Sequence, residues 1–433
     1  MIKKIGLLSL VAATSLMASG WRIPEQSVNS TALAGAYVAN ASGADAAYFN
    51  PANMAFMDQG SYFEGDVTYI QLSEIDFKGT DTATGATPFS ANSEKEHFVL
   101  PALHYVGEAY GNYRFGISLT VPGGLSKRWE GGGAPTLKSE EFTLEVLELN
   151  PVVSYKVNEK FAIAAGLRLV YSKGKVKSSG TTPIVVPGLG LVGTSEISRD
   201  MDGDDIAMGV NVAVSYKPIS NWTLSATYRS KVDLEEKGDA TLTSTGVAPN
   251  GLFPGLLPGS YNGGAGVTVP LPAVMALATA YTFNEDTTVE LEFDRTFWGD
   301  YNSLEFTYDR DLTLAADGAI AGFAAPQERS WNHANAYRIG VTHVFNNTWT
   351  GMVGFAYDET GAPTDKIAYE LPDSDARLYS MGVKYNYSKQ MTIGIAGLYD
   401  DKKEVTTSGD NPVQGTFSNA SAYLLTIGLG YKF

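Results

Sequence analysis

The clearest pattern in the chain is a strict alternation of apolar with small or polar residues over its final segment, SAYLLTIGLGYKF (421–433). A period of two is the side-chain period of a β-strand, because successive side chains point to opposite faces of a sheet. One face of this segment is apolar throughout, and the other is small or polar. We therefore predict a strand with an apolar outer face that ends on the aromatic residues Tyr431 and Phe433.

The same alternation recurs along the chain, for example over FAIAAGLRLVY (161–171), TVELEFDRTF (288–297) and YRIGVTHVF (337–345). The connections between such segments alternate in length. Short connections occur at 157–160, 218–221, 284–286, 346–347 and 388–390, and long ones near 78–96, 122–140, 177–205, 241–268, 311–327, 359–375 and 401–418. Long outer loops that alternate with short periplasmic turns are typical of a bacterial outer-membrane barrel, here with about fourteen strands.

Composition supports a membrane barrel. The chain of 433 residues has 24 Tyr, 19 Phe, 6 Trp and 46 Gly, and it has no Cys. After residue 20 no apolar run approaches the length of a membrane-spanning helix. Because every backbone group must be paired inside hydrocarbon, a closed barrel is then the remaining way to span a bilayer. The predicted fold class is all-β, a transmembrane antiparallel β-barrel with a plugged lumen.

Residues 1–20 read as a signal peptide, with Lys3 and Lys4 before an apolar stretch and a small-residue exit at Ala18-Ser19-Gly20. We place cleavage between Ala18 and Trp21. Export together with a barrel pattern predicts a multi-pass protein in the outer membrane of a Gram-negative bacterium. An uncleaved anchor is the alternative, but the apolar stretch is short for one.

Residues 21–57 precede the first strand of the predicted barrel, which takes up 58–433. They lack period two and are rich in Ala, Ser and Asn. A segment of this kind can fold into the lumen as a plug, or it can remain a loose tail. The turn Asn50-Pro51-Ala52 favours the plug, because proline fixes the backbone there.

Two of the long connections, 177–205 and 241–268, are unusually apolar for outer loops. Exposed apolar patches mark binding surfaces, although two such loops could also pack on each other as a lid. The candidate substrate-binding residues are Ile184, Val185, Val186, Leu189, Leu191 and Val192 in the first loop, and Leu252, Phe253, Leu256 and Leu257 in the second.

Taken together, several stretches resemble the FadL-type family of outer-membrane transporters for long-chain fatty acids and aromatic hydrocarbons. They are SGWRIPEQSVNSTALAGAYVA, GADAAYFNPANMA with its N-P-A, LELNPVVSYKVNEKFAIAAGLRLVYSKGKV, VNVAVSYKPISNWTLSATYRSKVD, LPAVMALATAYTFNEDTTVELEFDRTFWGDYNSLEF and YELPDSDARLYSMGVKY. The resemblance covers essentially the whole chain after residue 20. It implies fourteen strands, an N-terminal hatch containing Asn50, Pro51 and Ala52, and capture of substrate between the third and fourth outer loops.

The resemblance also implies a sideways exit beside a kinked third strand, for which Gly116 is a candidate kink. It further implies a basic carboxylate contact at the position of Lys173, with Lys175 close by. Strict alternation from Tyr171 would point Lys173 outward, so a solvated strand end is the alternative. Tyr431 and Phe433 resemble the terminal signal read by the barrel assembly machinery.

Other functions are weakly supported by the sequence. The formal net charge of −16 disfavours nucleic acid as a partner. No catalytic motif, metal-ligand cluster or phosphate-binding loop is present, so we expect no enzyme activity, no cofactor and no metal. Glu290, Glu292 and Asp294 form an inward carboxylate ladder, which Arg168 or Arg338 could pair with across the lumen.

The sequence therefore predicts passive uptake of hydrophobic compounds, with long-chain fatty acids as the first expectation. Neutral aromatic hydrocarbons through the same fold, or a general porin or adhesin-type barrel, are the alternatives. The expected partners are the hydrophobic ligand, outer-membrane lipid with lipopolysaccharide, and the assembly machinery. We expect a monomer.

Overall fold

The structure is a computed structural model that describes residues 20–186, 190–245 and 258–433. Its helices are short. The α-helices are α1 (Val28–Ala32), α2 (Ala46–Phe49), α3 (Ala134–Ser139) and α4 (Leu314–Asp317), and the 3₁₀ helices are Pro51–Phe56, Thr82–Thr84, Trp298–Asp300 and Gly318–Ala324. None of the helices in these ranges is long and apolar enough to cross a membrane.

Strands make up most of the described chain. In chain order they are β1 (Tyr62–Leu72), β2 (Asp76–Asp81), β3 (Phe89–Asn92), β4 (Glu96–Val106), β5 (Tyr113–Arg128), β6 (Glu141–Asn158), β7 (Phe161–Val186), β8 (Gly190–Ile219), β9 (Trp222–Arg229), β10 (Val232–Ser244), β11 (Gly259–Leu271), β12 (Val274–Phe283), β13 (Thr287–Thr296), β14 (Ser303–Leu304), β15 (Phe306–Tyr308), β16 (Gln327–Glu328), β17 (Ala334–Val344), β18 (Trp349–Asp358), β19 (Ala376–Asn386), β20 (Met391–Lys402), β21 (Val405–Thr406), β22 (Val413–Ser418) and β23 (Ser421–Lys432).

Fourteen of these strands form a closed antiparallel barrel, as the sequence predicts. The ring runs through β1, β4 to β9, β12, β13, β17 to β20 and β23, and each strand pairs with the next. Strand β23 closes the ring against β1, with pairs from Tyr62↔Lys432 to Leu72↔Ala422. The predicted final strand is therefore the seam of the barrel.

The outer wall is apolar in the way that the alternation predicts. Val67, Val210, Leu291, Val353 and Ile427 are all exposed on the outside, whereas their chain neighbours face the lumen. Such a band suits contact with lipid. The short connections lie at one end of the barrel and the long ones at the other, and the first strand begins at the end with the short turns.

The described parts of the predicted loops 177–205 and 241–268 are almost entirely strand. Strands β7 and β8 stay paired up to Val186↔Gly190. Strand β10 pairs with the upper part of β8 and also with β11. Their alternation continues with polar outward residues, so the hairpins project beyond the apolar band. In water, the pairing satisfies the backbone groups that an apolar loop would otherwise leave exposed.

Residues 21–57 lie inside the barrel, and most of them are buried. Small residues allow this close approach to the wall. A Cβ placed on Gly354 of β18 would lie 2.2 Å from the carbonyl carbon of Leu33 and 2.6 Å from the nitrogen of Ala34. The glycine at this position is therefore explained by the plug backbone that passes over it. We refer to residues 21–57 as the plug.

We expect Gly354→Ala to displace the plug, because a clash with backbone atoms cannot be relieved by rotating a side chain. Overpacking of this kind typically costs about 1–3 kcal/mol. Single-channel recordings in planar bilayers should show a higher ion conductance than the wild type. Gly430→Ala is the control, because its Cβ would meet nothing closer than 4.0 Å. Equal conductance of the two variants would contradict a tightly seated plug.

Candidate functional site

The upper half of the lumen contains an enclosed apolar space, which we call the chamber. Trp21 of the plug lines it together with side chains from the wall and the outer loops, including Leu125, Phe142, Leu144, Val176, Met201 and Val269. Its free volume is only about 40 Å³, far below the roughly 300–1,000 Å³ of a typical ligand pocket. A hydrophobic ligand can therefore enter only if lining side chains move apart.

Aromatic rings close the chamber from the side of the outer loops. Trp21 packs edge-to-face on Trp298, with ring centroids 5.5 Å apart, and Trp298 packs in the same way on Trp331 at 5.0 Å. Edge-to-face pairs at these distances are favourable beyond their buried area. The start of the plug is thus held by rings from the connection between β13 and β17.

A break in the wall lies beside the chamber, between β4 and β5. The two strands pair only from Leu103↔Leu119 to Val106↔Gly116. On the side of the outer loops, the next backbone bridge joins Ser93, which precedes β4, to Trp129, which follows β5. Over the described residues between these points, the two strands share no ladder. We call this break the window.

The kink that opens the window lies at Val121 and Pro122 and not at the candidate Gly116. The β5–β6 register shifts between Thr120 and Gly123, so two residues of β5 are left out of the ladder. A bulge of this kind bends a strand, and proline cannot donate to the ladder. Gly116 pairs regularly instead, and its Cβ position would lie 2.7 Å from the sulfur of Met54 in the plug.

The start of the plug replaces the missing neighbour of β5. The backbone N–H of Ile23 donates to the carbonyl of Pro122 at 3.0 Å, and that of Gly124 donates to the carbonyl of Trp21 at 2.9 Å. The side chain of Gln26 accepts from the N–H of Val121 at 2.9 Å and donates to its carbonyl at 2.8 Å. The free edge of β5 is therefore satisfied by residues 21–26 and not by β4.

Ion pairs surround the chamber and the window. Arg329 pairs with Glu370 beside the chamber. Burial acts to lower the pKa of Arg329, but the charge of Glu370 outweighs it, so the pKa lies above its usual value. At the upper rim of the window Glu96 pairs with Arg128 at 2.5 Å, and the buried ammonium of Lys127 lies 3.8 Å from the carboxylate of Glu96.

The carboxylate ladder predicted on β13 anchors the plug. Glu290 accepts hydrogen bonds from the backbone N–H groups of Val38, Ala39 and Asn40, at 2.6 to 2.9 Å. Glu292 accepts from Tyr37 and Val38, both at 3.1 Å. Charged acceptors make such bonds roughly twice as strong as neutral ones.

Arginines complete this anchoring. Arg338 pairs with Asp294 at 3.1 Å and Asp358 at 3.3 Å, and it donates to the carbonyl of Ala34 in the plug. Arg114 donates to the carbonyls of Met54 and Met57 in the plug and to those of Asp58 and Gly60 just after it, at 2.6 to 3.2 Å. Arg168 pairs with Glu148 on the neighbouring strand, so it lies away from the β13 ladder.

A second cavity, which we call the vestibule, opens among the outer loops. Its volume is about 500 Å³, and it shares Arg329, Lys366 and Ile367 with the chamber. The buried side chain of Arg199 lines it, with the guanidinium 4.6 Å from the ring centre of Phe306 and 4.9 Å from that of Phe323. Arg199 also donates to Ser178 at 2.9 Å, but its Nε has no hydrogen-bond partner.

The two candidate carboxylate contacts on β7 differ in position. Lys173 is exposed on the outer face of β7, in register with Glu145 and Asp204, because the alternation of the strand continues without a bulge through this stretch. Lys175 lines the chamber but is paired with Glu141 at 3.0 Å. Contact of either lysine with a carboxylate stays a prediction.

The two predicted capture segments emerge side by side. Ser244 at the end of β10 is in register with Ile197 of β8, which in turn opposes Gly180 of β7. Ile184 is half-buried opposite Gly193. Leu189, Leu252, Phe253, Leu256 and Leu257 lie outside the described residues, as does the predicted signal segment before Gly20. The structure describes only the backbone, in the hairpin of β7 and β8, for four further residues: Val185, Val186, Leu191 and Val192. Contact of these side chains with substrate stays a prediction.

The N-P-A turn lies at the opposite end of the plug from the window. Asn50 donates to the carbonyl of Val38 and to Ser215, both at 2.9 Å. Ala52 packs on Ala162, Ala164 and Ala213 of β7 and β8. The turn therefore seats the plug on the wall near the short turns, and residues 21–26 are the part that meets the window.

The terminal aromatics lie on the seam strand. The rings of Tyr431 and Phe433 pack edge-to-face at 4.8 Å, and the backbone N–H of Phe433 donates to Ser61. Phe433 is exposed. Recognition of this end by the assembly machinery stays a prediction. Among the described residues, no group of acidic or histidine side chains is arranged to hold a metal ion.

The structure thus combines a closed fourteen-strand barrel with an internal plug and with a break in the wall at a bulged third barrel strand. The sequence profile of the family described as "Outer membrane protein transport protein (OMPP1/FadL/TodX)" matches residues 9–433. The chain belongs to the OMPP1/FadL/TodX family. Members of this family are outer-membrane transport channels and not enzymes, so this protein is a hydrophobic-substrate transporter of the outer membrane.

Relatives and solved structures extend over nearly the whole chain. A long-chain fatty acid transport protein of Escherichia coli O6:H1 is 24% identical over 89% of this chain and 87% of its own. Outer membrane protein P1 of Haemophilus influenzae is 23% identical over 98% and 97%. A Pseudomonas aeruginosa FadL homologue aligns with a TM-score of 0.82 at 20% identity, covering 96% and 100% of the two chains. The toluene transporter TodX of P. putida aligns at 0.69 and 22%, covering 94% and 98%.

Sequence reasoning missed the residues at the window and in the vestibule. The Val121-Pro122 pair carried a signal, since proline inside an alternating strand indicates a bulge. Gln26 and Arg199 carried none, because their partners lie 95 and 21 positions away along the chain.

We expect Gln26→Met to loosen the start of the plug, because it leaves the buried N–H and carbonyl of Val121 unpaired. Each unpaired buried group costs about 1–3 kcal/mol. Hydrogen–deuterium exchange of residues 21–26 and 119–124 should rise in the variant. Gln390→Met, in an exposed turn, is the matched control and should exchange like the wild type. Unaltered exchange in Gln26→Met would show that the side chain does not hold the β5 edge.

Proposed function

We propose that the protein takes up long-chain fatty acids passively, by capture in the vestibule, transfer through the chamber and sideways release at the window. The observation that carries this proposal is the continuity of the three spaces. The vestibule and chamber share Arg329, Lys366 and Ile367. The chamber reaches the window along β5, through Leu125 and Trp21.

The apolar lining of this route supports a lipid-like substrate. Behind the window, Ile23, Phe98, Leu100 and Val121 belong to one buried apolar cluster. Burying a methylene gains about 0.8 kcal/mol, so a sixteen-carbon tail gains on the order of ten kcal/mol before ordering costs. That gain can draw the ligand in without an energy source. The apolar membrane beyond the window can take the ligand up on release.

Arg199 supports a carboxylate headgroup in the vestibule. A buried guanidinium is costly unless charged or polar groups pair with it. Arg199 donates to Ser178 and to the carbonyl of Lys138, and Tyr308 and Glu370 lie near enough to favour its charge, but among the described residues no carboxylate lies within ion-pair distance of it. Its planar fork suits bidentate binding of a carboxylate. The vestibule volume of about 500 Å³ leaves room for an alkyl chain. Arg199 thus takes the role that the sequence assigned to Lys173.

Neutral aromatic hydrocarbons are a second candidate, favoured by the rings of Trp21, Phe142, Tyr301 and Trp331 around the chamber. TodX, a solved structure with this fold, is titled a toluene transporter. A general diffusion porin is disfavoured by the buried plug, which fills the lumen across its width.

We expect Arg199→Met to weaken binding of radiolabelled oleate by the purified protein at least about tenfold, since bonds to charged groups contribute about 1.5–3 kcal/mol. Oleyl alcohol should lose much less affinity, because it carries no charge. Arg310→Met is the control, because Arg310 is half-exposed and already paired with Asp317 at 2.6 Å. If oleate binds Arg199→Met as tightly as wild type, with heat-modifiable mobility showing a folded barrel, the vestibule does not bind the carboxylate through Arg199.

A further inference from the structure

The inward face of β10 carries a single charged residue in an otherwise apolar row. Val232, Leu234, Ala240 and Leu242 are buried there and belong to the same apolar cluster as Trp21. Glu236 lies in the middle of this row with 3% of its surface exposed, and it lines the chamber. A carboxyl group in such a position needs a partner, because an unpaired buried charge is expensive.

Glu236 has no such partner among the described residues. Both of its carboxyl oxygens are buried without a hydrogen bond. Ser172 and Gly174 on β7 are its closest polar neighbours, but neither forms a bond of normal geometry with it, and the hydroxyl of Ser172 is itself unpartnered. Hydrogen bonds from the described residues therefore do not compensate an ionised Glu236, and its carboxyl group is left to interact with a ligand in the chamber.

The charged groups around Glu236 do not neutralise it. On β8, Asp202 also lines the chamber, and Asp204 and Asp205 add negative charge nearby. On β7, Lys175 lines the chamber as well, but it pairs with Glu141 at 3.0 Å. On β10 itself, Lys237 is exposed and pairs with Glu235 at 3.0 Å.

Across the chamber, the cations are likewise engaged. Arg329 pairs with Glu370, and Lys366 pairs with Glu328 at 2.6 Å. From β11, only Ala265, Val267 and Val269 line the chamber. The segments 187–189 and 246–257, which lie outside the described residues, contain no charged residue in the sequence.

An ionised fatty acid in this chamber would place a second carboxylate beside Glu236 with no free cation. Two carboxylates that share an apolar site do not both stay ionised, and one of them holds a proton. We infer that a fatty acid crosses the chamber sharing one proton with Glu236, so that its passage is linked to proton uptake from the outer medium. This inference rests on the proposed function.

No bond between heavy atoms forms or breaks when the fatty acid passes Glu236. One proton bridges the carboxyl group of the ligand and that of Glu236 while the ligand is in the chamber. The proton returns to water or stays on the fatty acid when the ligand leaves through the window. Arg199 in the vestibule and Glu236 in the chamber thus act in sequence, the first on the anion and the second on the protonated pair.

The position of Glu236 suits a group that exchanges protons with the outer medium. Its strand lies above the apolar band, because the outward residues of β10, among them Asp233, Glu235 and Asp239, are exposed and polar. Burial raises the pKa of Glu236 to about 7, opposed by Ser172 and assisted by Asp205. Near neutral pH the side chain can therefore both hold and release a proton.

The test measures initial uptake of radiolabelled oleate by cells of a host that lacks its own fatty-acid transporter, at outer pH 6.0 to 8.5. Wild-type uptake should stay level up to about pH 7 and then fall about tenfold per pH unit, because one proton must be supplied from a deprotonated site. Glu236→Gln places a permanent N–H donor there, so the steep fall should disappear. Glu235→Gln, on the outer face of the same strand, should retain the wild-type profile.

Oleyl alcohol, which needs no proton, serves as the neutral probe and should show no such fall in the wild type. Oleate uptake that is level with pH in the wild type, or an equal fall in Glu236→Gln, would overturn the inference and leave the proposed function standing. If the wild type takes up neither probe faster than the empty host, the proposed function fails and the inference fails with it. Surface exposure and heat-modifiable mobility confirm that each variant has assembled.

Discussion

Everything in this structure depends on one requirement, that backbone hydrogen-bonding groups inside a membrane find partners within the protein. The ring of fourteen strands meets it almost everywhere. The exception is the upper part of β5, where the bulge at Val121 and Pro122 turns the strand away from β4. Residues 21–26 supply the missing partners, through their own backbone and through the side chain of Gln26. A break in the wall is tolerated because the plug completes the pairing from inside.

The plug is held to the wall by acidic and basic side chains as well as by contacts between small apolar residues. Glu290 and Glu292 bind the N–H groups of one stretch of the plug, while Arg114 and Arg338 bind carbonyls of others. Charged groups in the lumen thus satisfy a segment that has little regular structure of its own. The chamber, which lies nearer the outer loops, is lined mainly by apolar side chains. The change from a polar to an apolar interior separates the part that holds the plug from the part that suits a hydrophobic ligand.

Much of the fold could be predicted from the sequence, because alternation is a local property. The strand at 421–433, the outward apolar band and the number of strands all follow from a period of two and from the spacing of turns. The buried stretch 21–57 could be located by its lack of alternation. What the alternation could not show is where pairing fails. Gly116 was a candidate for the kink, but it pairs regularly and lies against Met54, and the kink comes a few residues later at a proline.

The candidate site was harder to predict, because its residues meet only in three dimensions. The family resemblance implied a carboxylate contact at Lys173, yet the uninterrupted alternation of β7 turns this residue outward. The sequence carried no signal for Arg199 and Glu236, since each is a single charged residue within a strand. Their importance comes from burial with few polar partners, which only the three-dimensional structure shows.

The contacts of the plug also link its position to the closure of the ring. Thr31 of the plug lies 2.8 Å from Thr426 on the last strand, which in turn contacts Thr68 on the first. One residue of the plug therefore lies against the seam, where β23 meets β1. The side-chain contact made by Thr31 is complete only when β23 is in place, so seating of the plug and closure of the ring stabilise each other.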